Sequence, residues 1–256
     1  MPVDPSLLPV ERPNPDAPLR LVCLPFAGGG AGVYGSWSSA FGDRVDVIPV
    51  QLPGRERRLR DRPYTAMAPL VTDLLDTLIP LLDRPWVVFG HSMGASIGYA
   101  LARAATAAGL PPTHLVVSAR RAPGVPSPHP PFFALPDALL VSETERHYGP
   151  MPALVRDNPG VLATFLPTMR ADYQLLDTWR APTDVVLDSA VTAIVGAEDA
   201  TVRPDQVEGW ERVTRGPFEM RLVDGGHFDG IRARHDVREI VRGIVGGVAA
   251  GRVCGS

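Results

Sequence analysis

The stretch Trp86-Val87-Val88-Phe89-Gly90-His91-Ser92-Met93-Gly94-Ala95 runs an apolar strand straight into a serine flanked by glycines. Trp86 to Phe89 are apolar at every position, the pattern of a strand buried on both faces of a parallel sheet. From Met93 onward the small residues Ala95, Gly98 and Ala102 suit a helix packed close against that sheet. The Gly-x-Ser-x-Gly between strand and helix describes a sharp turn that lifts the serine hydroxyl above the sheet edge, a nucleophile elbow. Glycines flank it because a side chain there would collide with the neighbouring strand or helix. The plainer alternative is a glycine-rich turn whose serine only caps the helix.

The same alternation extends in both directions. Apolar runs predict strands near 20–25, 45–51, 86–90, 114–118, 190–196 and 218–223. Helical patterns fall at 33–42, 65–82, 93–108, 204–213 and 236–248. Strand and helix in alternation predict a mostly parallel, doubly wound α/β sheet. With the elbow at its centre, that is the α/β-hydrolase fold. One stretch breaks the rhythm. Residues 123–180 are proline-rich, carry helical patterns and lack a convincing strand, which suggests an inserted helical lid. Residues 1–18 read as an irregular, proline-rich lead-in, residues 19–250 as one hydrolase domain, and residues 251–256 as a tail.

A serine needs a base and an orienting acid, and in this fold the chain order is Ser, Asp or Glu, then His. Among the six histidines, His227 is the candidate base. It follows the last strand in Asp224-Gly225-Gly226-His227-Phe228, where glycines let a side chain swing over the sheet edge. His91 is the elbow's own variable position and is expected to point away from the serine. His114 precedes a strand, His129 and His147 fall in the lid, and His235 opens the final helix. For the acid, Asp199 in Val195-Gly196-Ala197-Glu198-Asp199 is favoured, with Glu198 and Asp205 as rivals. Asp224 is near His227 in sequence but at a strand end that aims elsewhere. Two backbone N–H donors are also required. Met93 supplies one from the elbow, and Ala27 is the choice for the other, in the loop Pro25-Phe26-Ala27-Gly28-Gly29-Gly30-Ala31-Gly32.

Other classes find less support. The glycine loop lacks the Lys of a phosphate-cradling motif; the chain has no lysine, so all 25 of its basic residues are arginine. Gly28-Gly29-Gly30 also lacks dinucleotide-binding spacing. A net charge of −3 argues against nucleic acid. Scattered histidines and two cysteines offer no metal site. Cys23 in an apolar strand and Cys254 near the C-terminus make a poor disulfide pair, which predicts a reducing, cytoplasmic setting. No signal sequence or membrane span is expected.

Several motifs together resemble one family, the stand-alone (type II) thioesterases of polyketide and nonribosomal peptide synthases. They are Leu24-Pro25-Phe26-Ala27-Gly28-Gly29-Gly30, Gln51-Leu52-Pro53-Gly54-Arg55-Glu56-Arg57-Arg58, Gly90-His91-Ser92-Met93-Gly94-Ala95, Val117-Ser118-Ala119-Arg120-Arg121-Ala122-Pro123, Gly196-Ala197-Glu198-Asp199 and Gly226-His227-Phe228. They come in the family's order across about residues 19–245. The resemblance implies hydrolysis of stalled or wrong acyl groups from the phosphopantetheine arm of acyl or peptidyl carrier domains. Ser92, Asp199 and His227 would be the triad, and Ala27 and Met93 the oxyanion donors. No cofactor is implied beyond the substrate's own arm, and a monomer is expected. Phe26, Phe165 and Met169 are candidates for lining the acyl channel. Arg55, Arg57, Arg58 and Arg60, with Arg120 and Arg121, form a candidate basic rim for an acidic carrier domain. The alternatives are a small-molecule esterase or acyltransferase of the same fold and, from another class, a non-catalytic binding protein.

Overall fold

Burial on both faces sets the strand composition. β1 (Leu19–Leu24), β2 (Val45–Pro49), β3 (Trp86–His91), β4 (His114–Ser118), β5 (Ala190–Gly196) and β6 (Phe218–Val223) form one sheet in the order β2-β1-β3-β4-β5-β6. Every pairing is parallel. The computed structural model describes residues 5–8, 14, 16–183, 187–232 and 236–251; Cys254 and His235 lie outside the described residues. Successive side chains enter opposite cores. Val22, Leu24, Val88, Leu115 and Val117 pack on one face, and Leu21, Cys23, Val87, Phe89 and Val116 on the other. The edge strand β6 is only half covered, and the exposed pair Glu219–Arg221 places charge on it.

Helices cover both faces. α1 (Trp37–Phe41), α8 (Asp229–Arg232) and α9 (Asp236–Ala249) lie on the side of Trp37, Ile231 and Val241. α2 (Met67–Leu78), α3 (Met93–Ala107) and α7 (Pro204–Val207) cover the other. Three predicted helices are shorter than expected. The 33–42 pattern divides into a 3-10 turn at Ala31–Tyr34 and α1, because Gly35 interrupts it. The 65–82 pattern ends as α at Leu78, and Ile79–Leu81, which contains Pro80, tightens to 3-10. The 204–213 pattern becomes 3-10 after Val207, drawn in where Trp210 Nε1 donates to Arg120 O at 2.9 Å. The lead-in is less loose than its prolines suggest: Leu7 is fully buried, and its carbonyl accepts from Gln51 N–H at 2.7 Å.

Between β4 and β5 the chain forms a 3-10 turn (Phe132–Ala134) followed by α4 (Asp137–Tyr148), α5 (Ala153–Arg156) and α6 (Pro159–Thr178). These helices hold an apolar cluster of their own, with Phe132, Leu140, Met151, Met169 and Tyr173 at its centre. α6 is tied to the sheet layer through Leu175 in the main core and Thr168 Oγ1, which donates to Gly54 O at 2.6 Å.

β1 and β3 lie side by side, and the strand order runs outward from them in opposite directions. The crevice beyond the carboxyl ends of such a pair is where open α/β sheets bind ligands. Among the described residues, no helix is long and apolar enough to cross a membrane.

One core group makes stability sensitive to acid. His114 is 3% exposed, with Nε2 2.8 Å from Thr192 Oγ1, and burial lowers its pKa to about 4. The unfolded chain binds that proton with a pKa of about 6.5. Protons therefore favour unfolding as pH falls below about 6.5, and the loss is complete only below the folded value. The expected cost is about 2 kcal/mol at about pH 5. His114→Gln keeps a polar partner for Thr192 and should flatten the stability curve between about pH 5 and pH 7, measured by urea unfolding at each pH. An unchanged slope would assign that sensitivity to another group.

Candidate active site

Ser92 stands between β3 and α3 in a backbone conformation that L residues seldom adopt, with φ 53° and ψ −112°. Its N–H donates to Ser118 O at 2.8 Å, so β4 holds the turn in place. The flanking glycines are steric requirements. A Cβ on Gly90 would lie 2.1 Å from Gly94 O, and one on Gly94 would lie 2.1 Å from Leu24 O. The hydroxyl consequently sits at the mouth of the β1–β3 crevice, at the amino end of α3.

A second pair of loops meets it there. A Cβ on Gly196 would lie 2.4 Å from Gly225 O, so only glycine lets the loop after β5 close on the loop after β6. Glu198 N–H donates to Gly225 O at 3.0 Å across that contact. His227 Nε2 lies 3.0 Å from Ser92 Oγ, and its Nδ1 lies 2.8 Å from Asp199 Oδ2. Asp199 is buried, whereas Glu198, Asp205 and Asp224 are exposed. Asp205 is held by Arg203. Burial raises the Asp199 pKa, but hydrogen bonds from His227 and Thr201 and the His227 charge outweigh this and hold it below the usual carboxylate range. Its other oxygen accepts from Thr201 N–H at 2.8 Å, Thr201 Oγ1 at 2.7 Å and Val202 N–H at 3.2 Å. Such an array can pass the serine proton to imidazole while keeping the carboxylate charged. Sequence reasoning missed Thr201, whose hydroxyl also lies 3.1 Å from His227 Nδ1.

His91 makes contacts that the sequence did not announce. Its ring does not merely point away: the centroid lies 5.3 Å from that of His227, and Nδ1 lies 3.0 Å from Ser118 Oγ. The elbow's variable residue thus packs against the imidazole it precedes, a tertiary contact that local sequence does not encode.

In the glycine loop, Gly28 N–H donates to Asp172 Oδ2 at 2.7 Å and Gly29 N–H to Phe26 O at 2.9 Å. Ala27 N–H precedes these two engaged amides. Met93 is the first residue of α3, and its N–H is one of those that helix geometry leaves without an intrahelical acceptor. A negative charge near it would also be favoured by the helix dipole.

A family model described as a thioesterase domain matches residues 19–245. The chain belongs to the thioesterase family. It is 32% identical to the gramicidin S biosynthesis protein GrsT of Aneurinibacillus migulanus, over 89% of each chain. The solved type II thioesterase BorB from the borrelidin biosynthetic cluster is 32% identical with a TM-score of 0.81, over 98% of this chain and 99% of that one. The thioesterase RedJ, from the prodiginine pathway in Streptomyces coelicolor, is 34% identical with a TM-score of 0.81, over 91% of this chain and 90% of that one.

The thioesterase's inserted helices touch the site unevenly. The Phe165 ring lies against Gly28, where an added Cβ would stand 2.4 Å from its Cζ. Phe26 packs its ring against Phe228, centroids 4.8 Å apart, and against His91 at 6.0 Å. Met169, 3% exposed, is buried in the helical segment's own cluster.

The expected basic rim divides. Arg57 and Arg60 are exposed, and Arg58 pairs with Asp61 at 2.7 Å. Arg55 is not at a rim: it is 5% exposed and forms a two-pronged ion pair with Asp172 of α6, at 2.8 and 2.7 Å. Its Nη1 also donates to Gly29 O at 3.1 Å and its Nε to Pro53 O at 3.1 Å. Arg121, 8% exposed, likewise turns into the molecule, and the half-buried Arg120 lines the same cavity. One carboxylate, Asp172, therefore holds both the buried Arg55 and the Gly28 amide beside Ala27. The Asp172 role was not legible, because its partners lie 117 and 144 positions away.

Removing either partner should strand a buried charge. Asp172→Ala or Arg55→Ala should cost about 3–5 kcal/mol in urea unfolding. The double substitution Arg55→Met with Asp172→Leu should regain most of that stability. Its kcat should nonetheless stay well below that of the native enzyme, because Gly28 N–H has lost its acceptor. Full recovery of kcat in the double variant would reduce the pair to a packing role.

Proposed function

We propose that this thioesterase hydrolyses acyl groups from the phosphopantetheine arm of carrier domains, clearing aberrant chains from a polyketide or nonribosomal peptide synthase. One observation carries the reading: a hydrogen-bonded Ser92–His227–Asp199 series at the strand end of a chain similar, along nearly its whole length, to a type II thioesterase.

In this mechanism, His227 Nε2 takes the Ser92 proton as Oγ attacks the thioester carbonyl. Asp199 orients the imidazole through Nδ1 and stabilises the imidazolium that forms. The amides of Ala27 and Met93 hold the developing oxyanion, and losing one such donor typically costs roughly 100- to 1,000-fold in rate. His227 returns its proton to the departing pantetheine sulfur. It then takes a proton from water, which attacks the acyl-serine, and passes that proton to Ser92 Oγ as the Oγ–acyl bond breaks and the acid leaves. The scheme needs no cofactor of its own. Phe165, packed on the glycine loop, and Phe26 border the entering acyl group, while Met169 contributes through the helical segment that carries Phe165. That segment, about 123–180, acts as a lid. A monomer working in the cytoplasm suits a buried free thiol at Cys23 and a substrate tethered to a partner synthase.

Ser92→Ala should abolish turnover of an acyl-carrier thioester with an unchanged circular dichroism spectrum, and a fluorophosphonate should label the native Ser92 peptide by mass. Asp199→Asn should lower kcat by about four orders of magnitude, whereas Glu198→Gln, at an exposed position, should change it little. Residual turnover near native in Ser92→Ala would remove the serine mechanism. Faster turnover of matched oxygen esters than of thioesters would move the enzyme to the esterases.

A further inference from the structure

A cavity of about 560 Å³ opens between the end of β4 and the helical segment, bordered by Ser96, Arg120, Arg121, Tyr148, Tyr173 and Asp177. Ser92 and His227 do not border it, but two of its lining residues adjoin them. Ser96 is one helical turn beyond Ser92 on α3, and the Tyr148 ring centroid lies 4.9 Å from that of His227.

Its charge is unbalanced. Arg121 is 8% exposed, donates from Nη1 to Pro126 O at 3.1 Å, and has a buried Nε without a partner. Among the described residues, no carboxylate stands within ion-pair distance of Arg120 or Arg121. Asp177, the one carboxylate bordering the cavity, accepts Phe132 N–H at 2.8 Å and acts on both guanidiniums through its charge without pairing directly with either. Burial, and then the like charge of Arg121, lowers the Arg120 pKa to about 10. Asp177 offsets part of this charge, but one carboxylate facing two adjacent guanidiniums leaves an excess of positive charge in a partly water-excluded cavity, which a ligand anion would balance.

The backbone presents them deliberately. Ala119 takes a left-handed φ of 51°, with its N–H bonded to Ile194 O at 2.8 Å, and Trp210 Nε1 fixes the Arg120 carbonyl. Such strain at a strand end, next to reacting groups, is where side chains are aimed at ligands. Guanidinium forks match the planar geometry of a carboxylate.

We propose that Arg120 and Arg121 form an oxyanion-binding subsite that selects acyl thioesters bearing a free carboxylate on the acyl chain. The inference rests on the thioesterase reading of Ser92. The arm's own phosphate offers the same chemistry. It lies many bonds from the thioester sulfur, however, whereas the cavity begins one helical turn from Ser92, so the acyl carboxylate is the better-placed source.

The test compares kcat/KM of the intact enzyme on N-acetylcysteamine thioesters, which lack phosphate. Succinyl should be preferred over its neutral isostere succinamoyl by roughly tenfold or more, the size of one charge-assisted hydrogen bond. Arg120→Gln and Arg121→Gln should each collapse that ratio toward one. The native ratio alone decides the matter if a variant fails to fold. A second arm compares butyryl-phosphopantetheine with butyryl-pantetheine. A preference there that collapses in the same variants, with a succinyl ratio near one, would overturn the acyl carboxylate and assign the arginines to the arm. Ratios near one in both arms would remove the subsite altogether. Either failure leaves the thioesterase reading intact as long as butyryl thioesters turn over and Ser92→Ala abolishes it.

Discussion

The absence of a side chain at Gly94 controls the geometry of everything above the sheet. With Leu24 O only 2.1 Å from where a Cβ would stand, α3 meets the end of β1 at backbone contact distance. That approach forces the turn between β3 and α3 to be so tight that Ser92 carries a φ of 53°. The strain is held by surrounding bonds rather than relieved. Ser92 N–H is tied to β4, and Ala95 N–H closes on Ser92 O at 3.1 Å. A sheet packed on both faces is stiff enough to maintain this, because its side chains interdigitate in two separate cores.

The loops that complete the site rely on a different device. The loops that carry Asp199 and His227 are joined by a second backbone contact, Gly196 against Gly225. The glycine loop after β1 is instead joined to the inserted helices by charge, through Arg55 and Asp172. The glycine contacts are rigid and belong to the sheet. The ion pair belongs half to a loop and half to α6, so any displacement of α6 acts on the Gly28 amide. The placement of the inserted helices and that of the glycine loop are thereby mechanically linked.

Local patterns revealed whatever local physics controls. The six strands were legible because burial on both faces demands unbroken apolar runs, and Ser92 because a strained turn demands flanking glycines. Asp199 and His227 were singled out from chain order and loop glycines, and the structure places them 2.8 Å apart, with Ser92 Oγ 3.0 Å from His227. What stayed hidden depends on long-range partners. Nothing near Arg55 in sequence announces Asp172, so the arginine read as surface charge. Arg120 and Arg121 read as rim residues because a strand end is normally exposed; here the inserted helices cover it. Thr201 and the His91 ring contact were invisible for the same reason. The helix at 204–213 lost its regular form to a tertiary demand, the Trp210 bond to Arg120 O.

Arginine is this chain's only strong base, and two of its buried copies, Arg55 and Arg121, serve opposite ends. Around Arg55 the fork is closed: both prongs meet Asp172, and Nε and Nη1 reach carbonyls. A pair satisfied this fully needs nothing from outside and can only hold parts together. Around Arg121 the fork is open, with Nε unpartnered. Both sit in the same low-dielectric layer between sheet and helices, so their difference lies in bonding and not in depth of burial, 5% against 8% exposed. A buried donor that folding leaves unsatisfied carries a cost that a ligand oxygen would remove. For a cavity that adjoins the His227 ring through Tyr148, that oxygen is the one the proposed acyl carboxylate brings.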